Sequence, residues 1–353
     1  MKLRLFSLIA AVSASVLLAP KGSAQELPYQ FFERYLEPLA QQIGMPGLSA
    51  VIVRNNRIEW EKGYGHADLE GKVAATPDTL YPIGGVTQAM TAVLIGICTD
   101  RKLVEVDDGI RRYVPTFPDD ASVRHVLAHA SQGRFVYDPE RYMALTAVVD
   151  RCSGKPFRVA LADELLSKLA MTSSVPGLDL GGPGGEAARS LFSESDAARY
   201  RSLLSRLAKP YRLDRSGKAV ASEYPSYGLD ASAGMVSTAR DLANFERELD
   251  DDRDNVPIGR STLETMWKPF SFDGVVNLPT GQGWFVQTTS EVPLVWTYGY
   301  IPDAASALIV KMPSKNLTLV LLANSDGLAA GYNLERGDIT DSPFVKIFLR
   351  LFI

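Results

Sequence analysis

From Ala89 to Cys98 the chain reads AMTAVLIGIC, ten residues without a charge. A run this apolar and this long predicts a helix buried on all sides. Just upstream, Pro82 and the pair Gly84-Gly85 break an extended segment, so a glycine elbow precedes the helix. Unpaired N–H groups and the helix dipole make such a start favourable for negative charge. Many enzymes hold a nucleophile at a position of this kind. Here it is occupied by Gly85, which has no side chain.

On either side of this helix the pattern changes period. Tyr29 to Ile43 carries apolar residues at helical spacing and stops near Gly44. Gly47 to Val53 and Ile58 to Tyr64, joined by Asn55-Asn56-Arg57, predict a β-hairpin. From Gly85 to about Glu248 the spacing is helical, with helices predicted at Val123 to His129, Tyr142 to Ser153, Arg158 to Leu169 and Thr238 to Leu249. The last third returns to strands at Gly283 to Thr288, Leu294 to Tyr298, Ala305 to Met312 and Leu317 to Ala323. A helix over Pro343 to Ile353 closes the chain. Strands at both ends with helices between predict an α+β fold. In it, one antiparallel sheet is built from both chain ends, flanked by helices, with a helical domain inserted. The expected division is an α/β part over 25–80 and 255–353 and a helical part over 81–254. The elbow then falls at their seam, where pockets tend to form.

Composition narrows the partners. The chain has 353 residues, 46% of them hydrophobic and 22% charged, with a net charge of -4, so nothing favours a nucleic acid or an anionic membrane. Lys2 and Arg4 precede an apolar stretch from Leu5 to Ala19 and then Gly22-Ser23-Ala24. That is the pattern of a cleavable export signal over 1–24, with Gln25 as the mature N-terminus. No cysteine follows the site, so no lipid anchor is expected, and no later run is long enough to span a bilayer. The mature protein is expected to be exported, either periplasmic or secreted. The only cysteines, Cys98 and Cys152, fall in two predicted core helices. They fit either a disulfide in an oxidising compartment or two buried thiols.

Candidate chemistry is sparse. His125 and His129 are spaced i, i+4, as metal ligands can be, but no carboxylate pattern accompanies them, so no metal or cofactor is expected. A Gly-x-Ser-x-Gly nucleophile turn is absent. Thr87 is adjacent to the elbow but points about 100° per residue away from position 85. Ser131 reads as a local hydrogen-bonding residue.

The order of landmarks resembles the serine β-lactamase and penicillin-recognising superfamily, in its class C β-lactamase, D-alanyl-D-alanine peptidase and esterase branch. The matching stretches include Gly44-Met45-Pro46-Gly47, Gly63-Tyr64-Gly65-His66, Leu127-Ala128-His129-Ala130-Ser131, Ser153-Gly154-Lys155-Pro156, Ser232-Ala233-Gly234-Met235 and Leu321-Leu322-Ala323-Asn324. The resemblance implies a β-lactamase/transpeptidase-like fold and a site made of three motifs. In Ser-x-x-Lys a serine attacks the acyl carbon while a lysine one turn later shares its face. The serine position falls on Gly85 and the lysine position on Gln88. Tyr-x-Asn maps to Tyr137-Asp138-Pro139, keeping only the tyrosine, either as a functional group or as packing. The third motif, usually His/Lys-Thr/Ser-Gly, maps to Thr297-Tyr298-Gly299 and keeps only the glycine. Backbone N–H groups of Gly85 and Tyr300 match the family's oxyanion donors.

These changes predict a pseudoenzyme that binds a peptide, cell-wall fragment or small-molecule ligand in the relic cleft. Its site residues would be Gly85, Gln88, Tyr137, Tyr298, Gly299 and Tyr300. A divergent active hydrolase of the same family and a purely structural or interaction protein are the alternatives.

Overall fold

The computed structural model describes residues 23–226, 228–250 and 257–353. Most of the expected export signal, residues 1–22, lies outside them. Helix α1 (Ser23–Ile43) leads into strand β1 (Gly47–Arg54), which turns through Asn55 and Asn56, both at positive φ, into β2 (Arg57–Asp68). A short β3 (Val73–Ala74) follows. Asparagine tolerates the left-handed region well, which is why this pair closes a hairpin.

The elbow comes next. Tyr81-Pro82 pairs with Val236-Ser237, a single 3-10 turn covers Gly84–Val86, and helix α2 runs over Thr87–Asp100. Every residue of α2 from Thr87 to Cys98 is buried, as the uncharged run requires. Further helices of note are α3 (Leu145–Ser153) and α4 (Ala239–Leu249), the latter capped by the Thr238 hydroxyl accepting from Asp241 N–H. The chain then forms β4 (Phe285–Thr289), β5 (Val292–Ile301), β6 (Ala305–Met312), β7 (Leu317–Ala323) and the terminal α5 (Pro343–Phe352).

The seven strands make one sheet in the order β4-β5-β6-β7-β1-β2-β3, antiparallel at every step. The first strand of the chain therefore pairs with the last, Val51 opposite Val320. Side chains alternate between two cores. Val51, Ile309, Val320 and Leu322 face α2 and the other internal helices. Ala50, Ile52, Leu308 and Leu321 face α1 and α5, where Phe32, Phe344 and Phe348 pack. The result is a sheet between two helical layers, an α+β fold.

Two boundaries near the elbow differ from the sequence expectation, and the helix expected over Arg158 to Leu169 is α-helical only over Phe157–Leu161 before a π-helical turn at Ala162–Leu166. The helix expected over Tyr142 to Ser153 is broken: Pro139–Tyr142 forms its own turn, capped by Asp138 accepting from Arg141 N–H, before α3 begins at Leu145. The short helix expected to reach His129 stops at Leu127. His129 instead adopts φ 51°, and its buried ring hydrogen-bonds to Gln88. Cys98 and Cys152 are joined as a disulfide between α2 and α3.

Candidate functional site

At the elbow the sheet and the helix nearly touch. Gly84 has φ 51°, a conformation glycine adopts without strain, and Gly299 on β5 approaches so closely that a Cβ there would fall 1.9 Å from the Ile83 carbonyl oxygen. Gly85 is different, since its φ is not positive and its backbone would accept any residue. What restricts it is space. A Cβ on Gly85 would lie 2.8 Å from the Tyr298 carbonyl oxygen and 3.0 Å from the Tyr137 hydroxyl. The nucleophile position of the three-motif reading is therefore empty of chemistry and also walled in.

Gln88, one turn along, is buried and held at both ends of its amide. Its Oε1 faces His129 Nε2 at 2.9 Å and its Nε2 faces the Tyr137 hydroxyl at 3.4 Å. The protonation pattern follows from the partners. His129 Nδ1 accepts the Asp138 backbone N–H at 3.1 Å, so the hydrogen must sit on Nε2 and be donated to Gln88. Burial, helped by the Arg141 guanidinium, holds the His129 imidazole down to about 3, so it is neutral at ordinary pH. The ring is sandwiched between Tyr137, 4.5 Å away, and Tyr142, 5.0 Å away. Tyr142 in turn donates to the Gln88 carbonyl at 3.0 Å.

Tyr137 stacks on Tyr298 with ring centroids 5.6 Å apart. Burial pushes the Tyr137 hydroxyl up to about 12, with the neighbouring Tyr298 and Gln88 opposing. Burial likewise raises Tyr298 well above the usual phenol range. Neither phenol is poised to ionise as a general base at neutral pH. The whole patch is a neutral, hydrogen-bonded network.

A cavity of about 260 Å³ opens beside it. Gly84, Gly85, Gln88, Tyr137, Tyr298 and Tyr300 line it. Pro139, Pro225, Ser232, Ala233, Ile301 and Pro302 complete the lining. Five of the six site residues expected from sequence thus meet in one cavity. Gly299 does not line it; it sits behind, against Ile83. His129 supports Gln88 from outside the cavity, and only its place after the Leu127-Ala128 pair hinted at this. Of the lining prolines, Pro139 is marked by the second motif, while Pro225 and Pro302 carry no signal in the sequence.

Other candidate nucleophiles are occupied or hidden. Thr87 is fully buried. Ser232 donates its hydroxyl to Asp230 Oδ1 at 2.7 Å. Ser131 borders a different cavity, with His125 and Phe272. Among the described residues no cluster of three or more metal-ligating side chains occurs.

A family model described as Beta-lactamase matches residues 32–340, which is most of the chain. The chain belongs to the beta-lactamase family. Its β-lactamase/transpeptidase-like fold also matches solved structures. The octameric penicillin-binding protein homologue from Pyrococcus abyssi superposes with a TM-score of 0.73 at 19% identity, over 91% of this chain and 77% of that one. The crystal structure of SurE gives a TM-score of 0.68 at 19% identity, over 92% of this chain and 77% of that one. Curated relatives match over shorter stretches. Protein flp of Staphylococcus aureus (strain N315) is 33% identical over 109 residues, 29% of this chain and 22% of flp. The mitochondrial serine beta-lactamase-like protein LACTB of Bos taurus is 27% identical over 84 residues, 24% of this chain and 15% of LACTB. This beta-lactamase-family chain therefore aligns with less than a quarter of the length of either relative. No helix among the described residues is long and apolar enough to cross a membrane.

Proposed function

We propose that this beta-lactamase-family chain is an exported pseudoenzyme that binds a peptide, a cell-wall fragment or another small ligand in the cleft beside the elbow. The observation that carries the reading is the pairing of Gly85 with a buried, neutral Gln88 where Ser-x-x-Lys chemistry needs a hydroxyl and an amine. Acyl transfer needs a nucleophile and a group to take its proton. Here the first is missing and the second is an amide committed to His129 and Tyr137. Among the described lining residues the remaining hydroxyls do not stand in for them: Ser232 donates to Asp230, and the pKa values of Tyr137, Tyr298 and Tyr300 are all raised.

Binding needs less. The first N–H groups of a helical turn have no intrahelical acceptor, so Gly84 and Gly85 offer donors at the cavity lining. The Tyr300 nitrogen lies 3.1 Å from the point a Gly84 Cβ would occupy, close to the same corner. These backbone donors suit a ligand carbonyl. Export is supported by the charged, apolar and small-residue succession of residues 1–24 and by the pairing of Cys98 with Cys152, which fits an oxidising compartment.

The test is the intact mass of the protein after exposure to benzylpenicillin and, separately, to a fluorophosphonate. The expected result is no adduct with either. A stoichiometric mass gain would overturn the reading, and peptide mapping of the adduct would name the working nucleophile.

A further inference from the structure

The side chains of the cleft oppose the preference for negative charge that the helix start alone would give it. None of its twelve lining residues is charged. The third-motif cation is replaced by Thr297, buried and neutral. The charged groups that act on the three cavity tyrosines are all acidic. Asp303 directly follows the lining residue Pro302, and after burial the acidic groups Asp326, Asp303 and Glu335 add to the raised pKa of Tyr300, as Glu335 does for Tyr137 and Tyr298. Asp303 and Glu335 are exposed, and Asp326 accepts the Asp303 backbone N–H at 3.1 Å.

The neighbouring cations look elsewhere. Arg336 lines a separate cavity with Trp267 and Asp338. Arg141 pairs with Asp119 at 2.9 Å and lies over the Phe117 ring at 4.7 Å. What lines the cleft is aromatic and prolyl: Tyr137, Tyr298 and Tyr300, the last 45% exposed, together with Pro139, Pro225 and Pro302. Aromatic faces attract ammonium groups, most strongly quaternary ones stripped of water. Acidic groups at the rim add to that attraction and repel anions.

We infer that the cleft is selective for a ligand carrying a protonated or quaternary amine on an apolar body, seated against Tyr300, and that it discriminates against carboxylates. This rests on the ligand-binding reading above and gives it a substrate class.

Two probes with the same ring and opposite charge test it: benzyltrimethylammonium and phenylacetate, titrated calorimetrically into the chain at low ionic strength. The ammonium probe is expected to bind at least about ten-fold more tightly. Tyr300→Ala should remove that binding, and because the side chain is half in solvent the variant should fold normally. Glu335→Gln should narrow the ratio several-fold without abolishing binding. Equal or tighter binding of phenylacetate would overturn the selectivity, as would binding of neither probe or an ammonium affinity unchanged by Tyr300→Ala. The pseudoenzyme reading is judged by covalent adducts instead, so the two can fail separately.

Discussion

His129 Nε2 donates to Gln88 Oε1 at 2.9 Å, and this bond decides what the helix-start site can do. Because Asp138 N–H already occupies His129 Nδ1, the imidazole has one proton to give and none to take. Gln88 suits that demand, with an acceptor toward the histidine and a donor toward Tyr137. A lysine has no acceptor while charged. The glutamine is thus fitted to its neighbours, and on the pseudoenzyme reading proposed above the replacement of the serine-lysine pair extends into the shell around it.

Restoring the two motif residues is therefore expected not to restore acylation. In Gly85→Ser/Gln88→Lys, the new Cβ meets the Tyr298 carbonyl at 2.8 Å and the ammonium faces His129 Nε2–H. If the amine instead loses its proton on burial, its lone pair is claimed by the same N–H. The overcrowding alone should cost about 1–3 kcal/mol. Urea unfolding should show the loss, and mass spectrometry should show no benzylpenicillin adduct. Stoichiometric acylation of the double variant would refute this account of the shell.

The same histidine should leave a mark on the pH dependence of stability. Its imidazole falls from 6.5 to about 3 on folding because it is buried. The unfolded chain thus takes up the proton first as pH falls. The stabilisation is complete above about pH 6.5 and is lost progressively on the way down to about 3. By pH 5 the loss should be about 2 kcal/mol relative to pH 7.5. Urea midpoints at the two pH values, in wild type and in His129→Asn, isolate this contribution from the carboxylates. An equal pH dependence in both proteins would contradict it.

How much of this was legible in the sequence depended on whether a residue's role was local. The buried α2 follows from ten uncharged residues, and the β1–β2 turn from two asparagines. The joining of both chain ends in one sheet followed from the order of strand and helix patterns. Roles set by distant partners were not readable. Lys311 is the one charged residue of the apolar strand β6, yet it is 2% exposed. It pairs with Glu246 and Asp250, each at 2.8 Å, and lies against Trp267. His129 was expected on a helix edge, and a positive φ took it into the network. The lining residues Pro225, Ile301 and Pro302 lie far along the chain from the elbow.

The Cys98–Cys152 bridge is the other relationship the sequence left open, and it makes a distinct prediction. The Cα atoms are 6.1 Å apart, within the usual range for a disulfide, and the bridge closes a separation of 54 residues. A loop of that length restricts the unfolded chain by about 4 kcal/mol in the chain-entropy model. Cys98→Ala/Cys152→Ala should therefore lose about that much in urea unfolding, and reductant should lower the wild type while leaving the variant unchanged. Ligand affinity in the cleft should not move. Cys98 lies thirteen residues beyond Gly85, about 20 Å at the helical rise, and α2 is buried from its start at Thr87 to Cys98. Maleimide labelling of both cysteines in the unreduced, denatured protein would show that the bridge does not form. A fall in affinity without a fall in stability would show that the bridge serves the cleft instead.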